Sequence, residues 1–245
     1  MSINSRFKEV LVRNPRLTNF ILKTFQKTGF DLANGINPAA ALLSKYGINL
    51  IFDVGANVGQ YARRQRAICG YQGQIVSFEP ISSIFSELTK NAKNDPLWIP
   101  LNLALGNYDG EASINVSEHS VYSSLLKALP DLSPPPVKEE KITIKKLDSL
   151  FSDYYKDGDK VLLKVDTQGY EKNVLEGAYS SLEYITGIQL ELSFVRLYEG
   201  EPLLIDMINL LLEKGFTLVN LEPLNHQLKS PGKILQADGM FFRLN

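Results

Sequence analysis

Four acids stand at or just beyond short apolar runs. Asp53 follows Leu50-Ile51-Phe52, Glu79 follows Gln74-Ile75-Val76-Ser77-Phe78, Asp166 follows Val161-Leu162-Leu163-Lys164-Val165, and Glu191 lies in Ile188-Gln189-Leu190-Glu191-Leu192. Runs of this kind read as strands of a parallel sheet covered on both faces. A carboxylate at the end of such a strand belongs in a crevice, and open α/β sheets bind their ligands in the crevice beyond the carboxyl ends of the strands. The four acids are therefore expected on one rim. A rim of that charge repels a pyrophosphate and suits a cation.

Between the first two acids lies Asp53-Val54-Gly55-Ala56-Asn57-Val58-Gly59. Glycine takes positive φ without penalty and lets backbone approach a ligand closely. The helix that starts near Val58 to Tyr61 points its free N–H groups at the same spot. The spacing differs from the G-x-G-x-x-G of dinucleotide sites, because Asn57 occupies the middle position. Glu79 lies about one βαβ unit further on, where an acid accepts hydrogen bonds from both hydroxyls of a ribose.

These elements alternate as strand and helix, which predicts an α/β sandwich around a mostly parallel sheet. Strands are expected at residues 50–53, 74–78, 98–105, 161–165, 188–192, 216–221 and 239–244, with helices at 81–92, 147–155 and 202–214. The last two strands lack a helix between them, so an antiparallel final pair is expected. Asn37-Pro38 opens a further helix that Gly47 closes. The segment 111–146 is irregular: Ser113-Ile114-Asn115-Val116 and Lys141-Ile142-Thr143-Ile144-Lys145 read as two extra strands. Between them runs a proline-rich loop, either a lid over the crevice or a solvent loop.

The runs I-F-D-V-G-A-N-V-G at 51–59, F-E-P at 78–80, L-G-N-Y-D-G at 105–110 and L-L-K-V-D-T-Q-G-Y-E-K-N-V-L-E-G-A at 162–178 resemble the FkbM family of S-adenosylmethionine-dependent methyltransferases. The resemblance extends from about residue 49 to the C-terminus. It implies a Rossmann-like class I methyltransferase sheet of seven strands whose last strand is antiparallel, with S-adenosylmethionine as cofactor. It also implies O-methylation of a hydroxyl on a small-molecule natural product, sugar or glycan. Where the family pattern has D-x-E-G-x-E, this chain has Asp166-Thr167-Gln168-Gly169-Tyr170-Glu171. The charge of the rim agrees with a sulfonium and an ammonium set against one carboxylate. Two other readings stand beside this one: a nicotinamide-dependent oxidoreductase on a Rossmann sheet, and a non-catalytic methyltransferase-like partner domain.

In the methyltransferase reading, Gly55 and Gly59 shape the turn under the methionine part of the cofactor, and Asn57 or the helix N–H groups meet its carboxylate. Asp53 orients that turn or holds the ammonium through a water. Glu79 takes the ribose diol, and the adenine falls near residues 102–105. Asp166 sits beside the donor methyl or the acceptor. A hydroxyl acceptor must shed a proton, which invites a general base; Asp166, Glu191 and His119 are the candidates. A histidine suits that task by its chemistry, yet a lone loop histidine such as His119 reads more readily as simply solvated. Ser123, Ser124 and Tyr122 are candidate acceptor contacts or plain loop residues. His226, in the turn between the last strands, is a more distant candidate base. Lys164 alternates with Leu162 and Asp166 on one strand face, so it needs a carboxylate partner, with Glu171 or Glu191 expected.

The rest of the chain bounds these readings. At 245 residues with 44% hydrophobic composition, one α/β domain with an appendage fits. We divide it into a helical extension at 1–47 and a methyltransferase domain at 48–245 carrying the 111–146 insert. Residues 1–30 set six basic side chains against Glu9, with apolar residues at roughly helical spacing. That pattern reads as a helical lid, a membrane-surface helix or an oligomer contact. A net charge of −1 argues against a nucleic-acid partner. One cysteine, Cys69, excludes an internal disulfide, and two histidines exclude a zinc cluster of Cys/His type, so no metal is expected. No apolar run approaches the ~20 residues that span a bilayer, and a cytoplasmic enzyme is expected.

Overall fold

A computed structural model of the chain describes residues 38–130, 135–224 and 234–244. Residues 1–37 of the helical extension expected at 1–47 lie outside the described residues, as does His226. From Pro38 the elements run α1 (Pro38–Lys45), β1 (Leu50–Val54), α2 (Gln60–Ala67), β2 (Gln74–Phe78), α3 (Ser82–Ala92), β3 (Trp98–Leu101) and β4 (Ala104–Leu105). There follow β5 (Gly110–Ser117), β6 (Pro136–Lys145), α4 (Phe151–Tyr154), β7 (Val161–Val165) and α5 (Glu171–Glu176). The chain ends with β8 (Ile185–Ser193), α6 (Leu204–Glu213), β9 (Thr217–Pro223) and β10 (Gln236–Phe242).

Seven strands form the central sheet in the order β3-β2-β1-β7-β8-β10-β9. Neighbours from β3 to β8 are parallel, and β10 runs antiparallel to both β8 and β9. This is the mostly parallel Rossmann-like sheet expected, and the parallel pairs β1–β2, β2–β3 and β7–β8 are each joined by a crossover that carries a helix. β1 and β7 are buried at every position, as strands with helices on both sides must be. On one face Phe52, Val76, Leu163 and Leu190 pack against Val174 of α5 and Met207 and Leu211 of α6. On the other, Ile51, Ile75, Leu162 and Phe242 pack against Leu43 of α1, Ala62 of α2 and Leu88 of α3.

The third strand expected at 98–105 is divided. The Asn102 side-chain amide donates to the backbone oxygens of Glu79 and Pro80 at 2.9 and 3.0 Å, and there the chain leaves the main sheet. Ala104–Leu105 pairs instead with β6, in a second sheet of order β4-β6-β5. The two extra strands expected in the insert are its antiparallel pair, β5 and β6, over a small core of Ile81, Ala104, Ile114, Val116, Ile142 and Ile144. Helix α5 has no counterpart in the sequence reading.

Candidate active site

The site grows from the turn after β1. Asp53 is fully buried beneath it, with Ser77 of β2 donating its hydroxyl to Oδ2 at 3.0 Å. The indole N–H of Trp98 on β3 donates to that hydroxyl oxygen at 2.9 Å, so one hydrogen-bonded line crosses three strands. On its other side Asp53 Oδ1 lies 3.1 Å from Lys164 Nζ, and Lys164 lies 3.6 Å from Asp166 Oδ2. The Lys164 ammonium also approaches the carbonyl oxygens of Val54 and Gly55 at 3.4 Å each. Burial alone lowers the pKa of Lys164, but the carboxylates of Asp53 and Asp166 outweigh it and hold the ammonium charged. The partner expected for Lys164, Glu171 or Glu191, is thus replaced by Asp53 and Asp166. The register decides this, since Asp53 and Lys164 are direct neighbours across β1 and β7. Glu171 instead accepts from the backbone N–H and hydroxyl of Thr167 and from the N–H of Gly169.

The two glycines serve the protein's own packing. At Gly55, with φ +73°, a Cβ would lie 1.8 Å from the backbone oxygen of Asp166. At Gly59, with φ +82°, it would lie 2.4 Å from the Trp98 ring. A side chain is thus excluded at Gly55 by the backbone after β7 and at Gly59 by a helix-to-sheet contact. Asn57 takes a φ of 50° between them. Its backbone N–H donates to Glu79 Oε2, its Oδ1 accepts from the Val58 N–H, and its Nδ2 donates to Ser120 Oγ, each at 2.9 Å. The Ile81 N–H donates to Glu79 Oε1 at 2.9 Å. Each Glu79 oxygen therefore holds one backbone donor and retains a lone pair for another. Burial pushes the pKa of Glu79 up to about 7 against the opposing pull of those two N–H groups and Lys164.

Across the sheet from Asp166 the register builds a row of acids, with Asp238 of β10 opposite both Glu191 of β8 and Glu222 of β9. Behind it a second row holds Lys164, Gln189, Met240 and Asn220. Burial raises Glu191 well above the ordinary carboxylate range, and Asp166, Glu171 and Asp238 reinforce it. Burial, then Asp166, pushes Asp238 up to about 7. Asp238 and Glu222 were not among the residues expected. The signal for Asp238 is the alternation of Gln236, Asp238 and Met240 on one strand face, and that for Glu222 is its place directly after the strand expected at 216–221. Gln168 takes a φ of 56° and sets its amide between two acids, donating to Asp166 Oδ1 at 3.2 Å and Glu191 Oε2 at 2.7 Å.

These groups enclose a cavity of about 580 Å³. Gly55, Asn57, Glu79, Asp166 and Glu191 line it, whereas Asp53 and Gly59 lie beneath its wall. One end is apolar, with Phe78, Pro80, Ile81, Ala104, Leu105, Ile114 and Leu125. The other is polar, with Tyr61, Arg64, Gln189, Asn220, Glu222 and Asp238. Ser120, Val121, Tyr122 and Ser123 of the insert form a third side, while His119 is exposed and outside the wall. Tyr61 donates its hydroxyl to Gln189 Oε1 at 3.2 Å, and burial, with Asp53, raises its pKa well above the usual value. A cofactor of nucleoside size fits: the volume lies within the ~300–1,000 Å³ typical of such sites. The apolar end accepts a flat ring, Glu79 keeps acceptor capacity beside it, and the acids beyond match positive charge.

Comparison with known proteins gives a match of residues 53–218 to the methyltransferase FkbM domain. A curated relative, hexuronic acid methyltransferase AglP of Haloferax volcanii, is 26% identical over 149 residues, covering 59% of this chain and 56% of that protein. The chain thus spans a little over half the length of the curated relative. Among solved structures, methyltransferase FkbM from Methylobacillus flagellatus is similar at 14% identity and a TM-score of 0.48, covering 80% of this chain and 43% of that one. Fibrillarin of Aeropyrum pernix, solved with S-adenosyl-L-methionine, is similar at 13% identity and a TM-score of 0.44, covering 83% and 73%.

Proposed function

From the premise that this chain belongs to the FkbM methyltransferase family, we propose that it is an S-adenosylmethionine-dependent O-methyltransferase acting on a hydroxyl of a sugar or other small polyhydroxylated molecule. The observation that carries the cofactor is the cavity itself, in which an apolar slot, the Glu79 carboxylate and a row of acids follow one another along the strand ends. The sugar class draws its support from the hexuronic acid methyltransferase to which the chain is similar.

The bound cofactor supplies a sulfonium methyl group open to in-line attack from the side opposite sulfur. Phe78, Ile81, Leu105 and Ile114 hold the ring end and exclude water from it. Glu79 accepts from the ribose hydroxyls with the lone pairs left free by Asn57 and Ile81. The turn at Asn57 and the first N–H groups of α2 meet the carboxylate of the methionine part. Asp166 and Glu191 face the positive groups and flank the place where an acceptor enters, and one of them takes the hydroxyl proton. Lys164, fixed by Asp53, braces the backbone beneath.

The test is titration calorimetry with S-adenosylmethionine, followed by transfer of a labelled methyl group to a panel of neutral, amino and acidic sugars. Heat of binding and labelled product support the reading. No binding heat points instead to a methyltransferase-like domain without catalysis.

A further inference from the structure

We infer that Gln168 is a positioning residue, whose side-chain amide, oriented by the Tyr198 hydroxyl, fixes the carboxylates of Asp166 and Glu191 side by side. The inference rests on the reading of this cavity as the site of methyl transfer only for its consequence, not for its geometry.

Both hydrogens of the Gln168 Nε2 are committed, one to Asp166 Oδ1 at 3.2 Å and one to Glu191 Oε2 at 2.7 Å. Its Oε1 accepts from the Tyr198 hydroxyl at 3.1 Å. Turned over, the amide would set its oxygen against two acids, so only one orientation is compatible with the neighbours. Gln168 is 8% exposed and Tyr198 is fully buried, which makes the arrangement stiff. The backbone is committed as well: Gln168 adopts φ 56°, and its carbonyl oxygen accepts from Ser124 Oγ at 2.7 Å. Tyr198 also lies 3.2 Å from the backbone oxygen of Tyr122, so insert and amide share one hydroxyl.

The electrostatic consequence follows from what surrounds the pair. Asp166 faces Lys164, while Glu191 faces Asp166, Glu171, Asp238 and Lys164, and Gln236 donates to its Oε2 at 2.7 Å. Three of the charged groups around Glu191 are acids and disfavour its ionised form. Two amide donors on one oxygen oppose them, because hydrogen bonds to the charged form favour that form. A glutamate at position 168, the residue of the family pattern, would place a third acid where the amide now donates. The neutral amide lets this chain keep two acids side by side, one of which is needed ionised to take a proton.

The experiment follows the carboxyl carbons of the protein, labelled with 13C at Asp and Glu side chains, through a pH titration by nuclear magnetic resonance without cofactor. The Gln168→Leu variant should move the midpoint of the Glu191 signal up by about one pH unit or more, and Tyr198→Phe should move it the same way by less. Circular dichroism reports whether each variant is folded, and if Gln168→Leu fails to fold, Tyr198→Phe alone decides. A midpoint unchanged in a folded variant overturns the inference and leaves Gln168 a packing residue. Binding of S-adenosylmethionine is measured separately. Shifted midpoints in a protein that binds no cofactor leave the positioning role standing while the methyltransferase reading fails.

Discussion

Lys164 and Asp53 show why a charge is tolerated where both neighbouring layers are apolar. The lysine side chain is 8% exposed and the carboxylate not at all, so the pair is largely withdrawn from water and each depends on the other. Breaking such a pair from one side strands a charge, at a cost of about 3–5 kcal/mol. Lys164→Met should lower stability to chemical denaturation by that amount, and adding Asp53→Asn to it should restore most of the loss. Additive losses in the double variant would show that the two groups are not coupled. Glu79 carries a second expectation. Glu79→Ala should weaken S-adenosylmethionine binding by about 1.5–3 kcal/mol in calorimetry, the range for hydrogen bonds to a charged group. Because Glu79 also accepts from Asn57 and Ile81, its melting temperature should fall too. Unchanged affinity would remove Glu79 from the cofactor site.

A hydrogen bond from Asn57 Nδ2 to Ser120 Oγ joins the glycine turn to the insert. Ser120→Ala should therefore speed hydrogen exchange at residues 55–60 and 118–124 by roughly 2–10-fold, the effect of one lost hydrogen bond, with β1 and β7 unchanged. Equal rates would mean that the insert is held by other contacts. The same elements show how much the sequence discloses. Strands β2 and β7 match their expected bounds, and β1 does to one residue, because burial on both faces leaves runs that are apolar but for one or two polar residues each. The split of the third strand depends on Asn102 reaching back to Glu79 and Pro80, a tertiary contact with no local signature. Helix α5 has six residues and follows two positive-φ residues, too short for periodicity to show. Most acids of the rim were legible as strand ends. Asp238 was not, because antiparallel β10 brings the start of its own strand to that rim, whereas Glu222 directly follows the strand expected at 216–221 and was passed over.

For the molecule as a whole, the acids set a dependence on pH. Glu79, Glu171 and Asp238 have folded pKa values of about 7, above the ~4 of an unfolded chain. Between these values the folded state binds more protons than the unfolded one, so the contribution of these groups to stability is full below pH ~4 and is lost as pH rises through 7. The melting temperature of the cofactor-free protein should fall between pH 6 and pH 8, and Asp238→Asn should flatten that fall. S-adenosylmethionine, bringing positive charge to the same acids, should raise the melting temperature more at pH 8 than at pH 6. A cofactor-free protein that melts higher at pH 8 would contradict this account.

The sheet order has one further outcome. β10 lies between β8 and β9, although it follows both in the chain. While a ribosome is still making residues 224–235, β8 has an open edge of nine residues and β9 has nowhere to pair. Co-translational folding must wait for that final strand, and a chain cut short before Gln236 offers its bare edge to chaperones and to other nascent chains.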